Sequence, residues 1–179
     1  LKFMKKDHDL AQAYQAIDRL HEAGLIYDAH IMTGVAGKGR GMENAEALAQ
    51  FLNRTNPAHV VNFSMFLHKE VPLYQDIRQG TFVPADELET IREEYHLIER
   101  IAPEKAGANI LYDGFHDFIH VRVRGHLPGD KEKMLAKLNG IIQEYEGKEP
   151  VYSFVQGECP DLEYCDDGKA VWDMDRKTS

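Results

Sequence analysis

Apolar residues recur along this chain in two rhythms, and their alternation sets out the elements. From about Asp9 to Ala23, Leu10, Ala13, Tyr14, Ile17 and Leu20 return at three- and four-residue spacing, the period of one buried helical face. Asp7 or Asp9 can accept from the free amides at its start, and Gly24 supplies a left-handed stop. In L-I-Y-D-A-H-I-M-T-G, Leu25, Tyr27, Ala29 and Ile31 alternate as in a strand, which ends in a glycine-rich loop from Gly34 to Gly41. A second helix follows over roughly Met42–Asn53, with Ala45, Leu48, Ala49 and Leu52 on one side, and Asn56-Pro57 closes it. The run H-V-V-N-F-S-M-F is almost continuously apolar, which predicts a strand buried on both faces in a parallel sheet.

The long link from 67 to 85 contains L-Y-Q-D-I-R-Q-G, a short helix closed by Gly80. Asp86 and Glu89 have capping-box spacing, and Leu88, Ile91, Tyr95, Ile98 and Ile101 give the next helix its apolar face. N-I-L-Y-D-G and F-I-H-V-R-V-R-G read as two further strands, the second with Ile119, Val121 and Val123 opposite His120, Arg122 and Arg124. A last helix from about Asp130 to Tyr145 buries Met134, Leu135, Leu138, Ile141 and Ile142. Helices alternating with strands predict an α/β fold with a parallel sheet. A complete β/α barrel needs at least ~200 residues, so the expectation is half of a TIM-type barrel over 1–147. An acidic C-terminal extension follows over 148–179.

Composition narrows the classes. The chain has 179 residues and a formal charge of −9, with 43% apolar residues and two cysteines. Such a balance excludes collagen-like, disordered and disulfide-scaffold proteins. No apolar run approaches the ~20 residues of a membrane span, so no membrane partner is expected and the localisation implied is cytoplasmic. The negative field disfavours nucleic acid, since Arg122 and Arg124 are too few to outweigh it.

Among motifs, the Gly34–Gly41 loop is the most suggestive, because glycine lets a backbone approach a ligand and Lys38 and Arg40 add positive charge. It lacks the ending of a Walker loop and the distant acid of a dinucleotide fingerprint. His116 and His120 are four apart, but the segment reads as extended, so ordinary histidines explain it better than a metal pair; His30 reads as a core histidine. Cys159 and Cys165 match neither C-x-x-C nor a zinc knuckle, and Ser64 has no evident base beside it. The residues alone assign no catalytic group and no metal ligand.

One ordered series goes further: L-K-F-M-K-K, R-L-H-E-A-G-L, I-M-T-G-V-A-G-K-G, N-A-E-A-L-A-Q-F-L-N, N-P-A-H-V-V-N-F-S-M-F, V-P-L-Y-Q-D-I-R-Q-G-T-F-V-P and G-H-L-P-G-D-K-E-K-M-L. It resembles the second half of the radical S-adenosylmethionine (radical SAM) core, in the branch with oxygen-independent coproporphyrinogen oxidases and Fe–S oxidoreductases. That resemblance implies an iron–sulfur oxidoreductase using S-adenosylmethionine and a metal-bound 4Fe–4S cluster in the full-length protein, with a small-molecule substrate. The family's C-x-x-x-C-x-x-C is absent here, so its cluster ligands and G-G-E contact are expected before Leu1 and the chain is expected to be incompetent alone. By motif matching, Ile31, Met32, Thr33 and Gly34, then Ser64, Met65 and Phe66, correspond to the adenosine side of the S-adenosylmethionine site. The acid of the family's G-x-I-x-G-x-x-E pattern is replaced by Gly37 or Lys38. A homo-oligomer through the exposed barrel edge is the expected assembly. Two alternatives stand beside this reading, a non-catalytic protein-binding module and a metal-dependent hydrolase built on His116 and His120.

Overall fold

A computed structural model describes residues 6–153, together with a short antiparallel pair at Glu163–Tyr164 and Ala170–Val171. The two cysteines and most of the acidic extension lie outside the described residues. The helices are α1 (Leu10–Glu22), α2 (Gly41–Thr55), α3 (Pro72–Arg78), α4 (Glu87–Arg100) and α5 (Lys131–Tyr145). The strands of the main sheet are β1 (Asp28–Thr33), β2 (His59–Ser64), β3 (Ile110–His116) and β4 (Val121–Leu127).

Local chemistry sets these boundaries. Asp9 accepts from the Gln12 amide at 2.8 Å while the Gln12 side chain returns to the Asp9 amide at 2.9 Å, a reciprocal cap on α1. Asp86 accepts from the Glu89 amide at 2.8 Å at the start of α4. After α2, Asn56 turns left-handed before Pro57.

The sheet order is β1-β2-β3-β4, with β1, β2 and β3 parallel and β4 antiparallel to β3. This corrects the half-barrel expectation. The sheet is mixed and four-stranded, and it does not close. The reversal comes from the connection after β3, a single 3-10 turn over Asp117–Ile119 followed by His120 at φ 54°. So short a link allows only an antiparallel return, since a parallel neighbour needs a crossover of a dozen residues or more.

Helices α2, α4 and α5 form one layer on one face of the sheet, and α1 lies against α2. Ala29, Val60, Ile110, Tyr112, Val123 and Leu127 point into that layer and join Ala45, Ala49, Leu52, Ile91, Leu97, Ile98, Met134 and Leu138 in the main core. The other face carries no helix of that layer. This second correction explains the burial along β2, where Val60, Asn62 and Ser64 are buried but His59, Val61 and Phe63 only partly so. A smaller cluster of Met65, Leu67, Tyr74, Ile77 and Phe82 seats α3 and its flanking loops beyond the end of β2. No helix among the described residues is long and apolar enough to cross a membrane.

Candidate functional site

The carboxyl ends of β1, β2 and β3 lie side by side, where open parallel sheets bind ligands. Two different surfaces meet there. One is buried between sheet and α4, and the other is the uncovered face.

On the buried side, α4 turns acidic residues inward. Glu87, Glu93 and Glu94 are each no more than 2% exposed. His116, at the end of β3, is wholly buried between two of them: its Nδ1 is 3.0 Å from Glu87 Oε2 and its Nε2 is 3.0 Å from Glu94 Oε2. A neutral imidazole has only one N–H, so two ionised carboxylates are both satisfied only by the imidazolium, in which both nitrogens donate. Burial pulls its pKa down, but the charge of Glu94 and the hydrogen bonds to Glu87 and Glu94 outweigh that and raise it to about 10.

The remaining carboxylate oxygens are also occupied. Glu94 Oε1 accepts from Asn62 Nδ2 at 3.0 Å and from the Tyr112 hydroxyl at 2.9 Å. Glu87 Oε1 accepts from the Ser64 hydroxyl at 3.0 Å and from Ser153. Ser153 belongs to a segment that returns over the cluster, where the Glu87 amide donates to the Val151 carbonyl at 2.8 Å and the Leu67 amide to the Ser153 carbonyl at 2.7 Å. A Cβ on Gly114 would overlap the Glu94 carboxylate, so glycine makes room for it.

Glu93 holds the start of the glycine-rich loop. Its Oε2 accepts from the Gly34 amide at 3.0 Å and its Oε1 from Asn44 Nδ2 at 2.5 Å. Burial pushes its pKa up to about 7, against the lowering effect of those two hydrogen bonds. Gly34 has φ +84° and Gly37 has φ +81°, and a Cβ on Gly37 would meet the Val83 carbonyl oxygen at 2.8 Å. These two glycines are therefore required by conformation and by close packing.

On the uncovered face, register sets Met32, Phe63, Phe115 and Arg122 in one row across all four strands. The Phe63 and Phe115 rings stack with centroids 5.3 Å apart, and the Arg122 guanidinium lies 4.7 Å over the Phe115 ring. The next row is His30, Val61, Asp113 and Arg124. Arg122 grips Asp113 through two hydrogen bonds of 2.8 and 2.6 Å, which hold that carboxyl below its usual range.

The seven residues matched to the adenosine side divide between these surfaces. Ile31 packs on the main core. Thr33 is fully buried, with its hydroxyl 3.3 Å from the Phe63 carbonyl. Gly34 and Ser64 are held by Glu93 and Glu87. Met65 is buried in the smaller cluster. Met32 is partly buried, with one side against the smaller cluster, and Phe66 exposes 55% of its area. Sequence reasoning missed Phe63, Phe115 and all three buried glutamates.

His116 and His120 do not converge as a metal pair, since His116 is sealed between carboxylates while His120 is exposed on the left-handed turn. Among the described residues, no three His, Cys, Asp or Glu side chains are arranged to hold a metal ion. The described residues thus form no metal or 4Fe–4S site, and the open sheet is not the barrel that the sequence predicts. No family model, curated protein or solved structure matches this chain.

Proposed function

We propose that the chain supplies the nucleoside-contacting surface of a radical SAM-type protein and binds the adenosine part of S-adenosylmethionine on the uncovered face of its sheet. The observation that carries the reading is the Met32–Phe63–Phe115–Arg122 row at the carboxyl ends of parallel strands. A purine gains by stacking on such rings, by about 1–3 kcal/mol per base in single-strand binders. Gly34 follows Met32 by two residues and Phe66 follows Phe63 by three, so the motif-matched segments continue the strands that carry the row. The buried Glu87–His116–Glu94 set fixes the strand ends beneath this surface and touches no ligand.

S-Adenosylmethionine would bring the sulfonium centre that its family's chemistry consumes. The described residues do not fit a 4Fe–4S cluster, since neither cysteine is among them and no ligand cluster forms. Under this proposal any cluster ligands belong to another segment, and this chain binds and orients the nucleoside. A protein-binding module is the second reading. It is favoured by Leu25 and Ile26, which expose 54% and 82% of their area just before β1, an edge strand of the sheet among the described residues. Self-association through that edge is part of it and is read by light scattering.

The deciding experiment is calorimetric titration with S-adenosylhomocysteine and adenosine, beside a ribose 5-phosphate control. Both adenosine ligands are expected to bind at about 1 mM, as a single stacking surface allows. Phe63→Ala should weaken them about tenfold. No binding, or equal binding by the variant, overturns the proposal.

A further inference from the structure

β4 is the terminal strand of the sheet, and its outer edge pairs with no strand among the described residues. Which backbone groups face outward follows from two side-chain contacts. The His126 amide donates to Asp130 Oδ2 at 2.8 Å, and Lys137 Nζ donates to the Arg122 carbonyl at 2.5 Å. Both acceptors and donors sit away from β3, so residues 122, 124 and 126 turn their amides and carbonyls to the edge, as the two-residue period of an antiparallel ladder requires. Asp130 closes the edge at His126, where its own amide returns to the His126 carbonyl at 2.6 Å. The Arg122–Arg124 stretch remains outward-facing.

Charge along this edge runs against the rest of the chain. A groove of about 400 Å³ there is lined by Arg122, Val123, Arg124, Lys133, Met134 and Lys137, four cations and no acid. Lys133 and Lys137 stand one turn apart on α5 and are exposed, while Arg122 and Arg124 keep about half of their side-chain area exposed. Asp113, which pairs with both arginines, neutralises one of the four charges. The whole chain carries −9, so this is a local reversal of sign. Positive edges repel a second identical edge, which is how edge strands avoid pairing with their own kind. An acidic strand meets the opposite field.

We infer that the β4 edge is a docking site for an extended acidic peptide, added as a fifth strand beside Arg122–Arg124. Its backbone bonds the outward amides of Arg122 and Arg124 and the Arg124 carbonyl, Lys137 already holding the Arg122 carbonyl, and its carboxylates lie against Lys133, Lys137 and the arginines. This is strand addition with charge as the selector. It shares Arg122 with the nucleoside surface but rests on the β4 edge and the α5 lysines, which that surface does not use.

The test uses the whole chain and a labelled eight-residue peptide alternating glutamate and valine, followed by fluorescence anisotropy and by amide NMR. The expected result is saturable binding that weakens with salt, with amide shifts centred on Arg122 and Arg124. K133E/K137E, changed at exposed positions, should weaken binding at least tenfold. The same peptide N-methylated on the amides that would face β4 should lose binding at unchanged charge. The inference is overturned by no binding, by equal binding of the methylated peptide, by shifts elsewhere, or by inorganic phosphate giving the same shifts and displacing the peptide. A homodimer paired through β4 without peptide overturns it as well.

Discussion

Replacing His116 with phenylalanine removes the cation from between two sealed carboxylates while keeping a flat ring. Raising the imidazolium from its usual value to about 10 corresponds to roughly 5 kcal/mol of preference for the protonated ring. Deleting one partner of a buried ion pair by mutation costs about 3–5 kcal/mol, the same order. With a urea dependence of about 2 kcal/mol per molar, His116→Phe should lower the unfolding midpoint by roughly 1.5–2.5 M near pH 7. The sign with pH follows from the raised pKa. Between about 6.5 and 10 the unfolded chain releases the proton that the folded chain keeps, so wild-type stability is complete below the lower value and falls toward the upper. The variant loses that dependence. In a Glu94→Gln background, the same replacement should cost about 1–2 kcal/mol less, because one fewer charge is stranded. Urea denaturation followed by far-UV circular dichroism measures all of this. A loss below about 1 kcal/mol, or the same loss in both backgrounds, refutes the reasoning.

Glu93 should titrate near pH 7 in a carbon-13 carboxylate experiment. Its folded pKa lies above the unfolded value, so stability falls as pH rises from about 4.5 to 7, and Glu93→Gln should remove that slope. A midpoint below 5 contradicts the burial argument. Gly114→Ala drives a methyl into the Glu94 carboxylate and should destabilise by about 2–3 kcal/mol, read by thermal unfolding. Gly140→Ala, an open position within α5, should instead stabilise slightly, by up to ~1 kcal/mol.

Much of the order of elements was legible because it rests on periodicity and caps. Asp9, Gly24, Asp86 and Asn56-Pro57 act where the pattern puts them. Ile91, Ile98 and Ile101 are fully buried as the periodicity of α4 predicts, but apolar residues alone give too narrow a face. Leu88 and Tyr95 are half-buried, while Glu87, Thr90, Glu93 and Glu94 occupy the buried side. Carboxylates can sit there only with partners from distant strands, His116, Asn62, Ser64 and Tyr112, which no local window contains. The parallel reading of β4 failed for a related reason: V-R-V-R alternates in either direction, and only the 3-10 turn after His116 decides. H-V-V-N-F-S-M-F is apolar on both sides and so predicts burial on both, yet Phe63 lies on the side that no helix of the main layer covers.

The most direct test of the account is an intermolecular NOE experiment on the whole chain with adenosine. Cross-peaks are expected from the purine protons to the rings of Phe63 and Phe115 and to the Met32 methyl. Cross-peaks confined to any other surface, or none at saturating nucleoside, would contradict it.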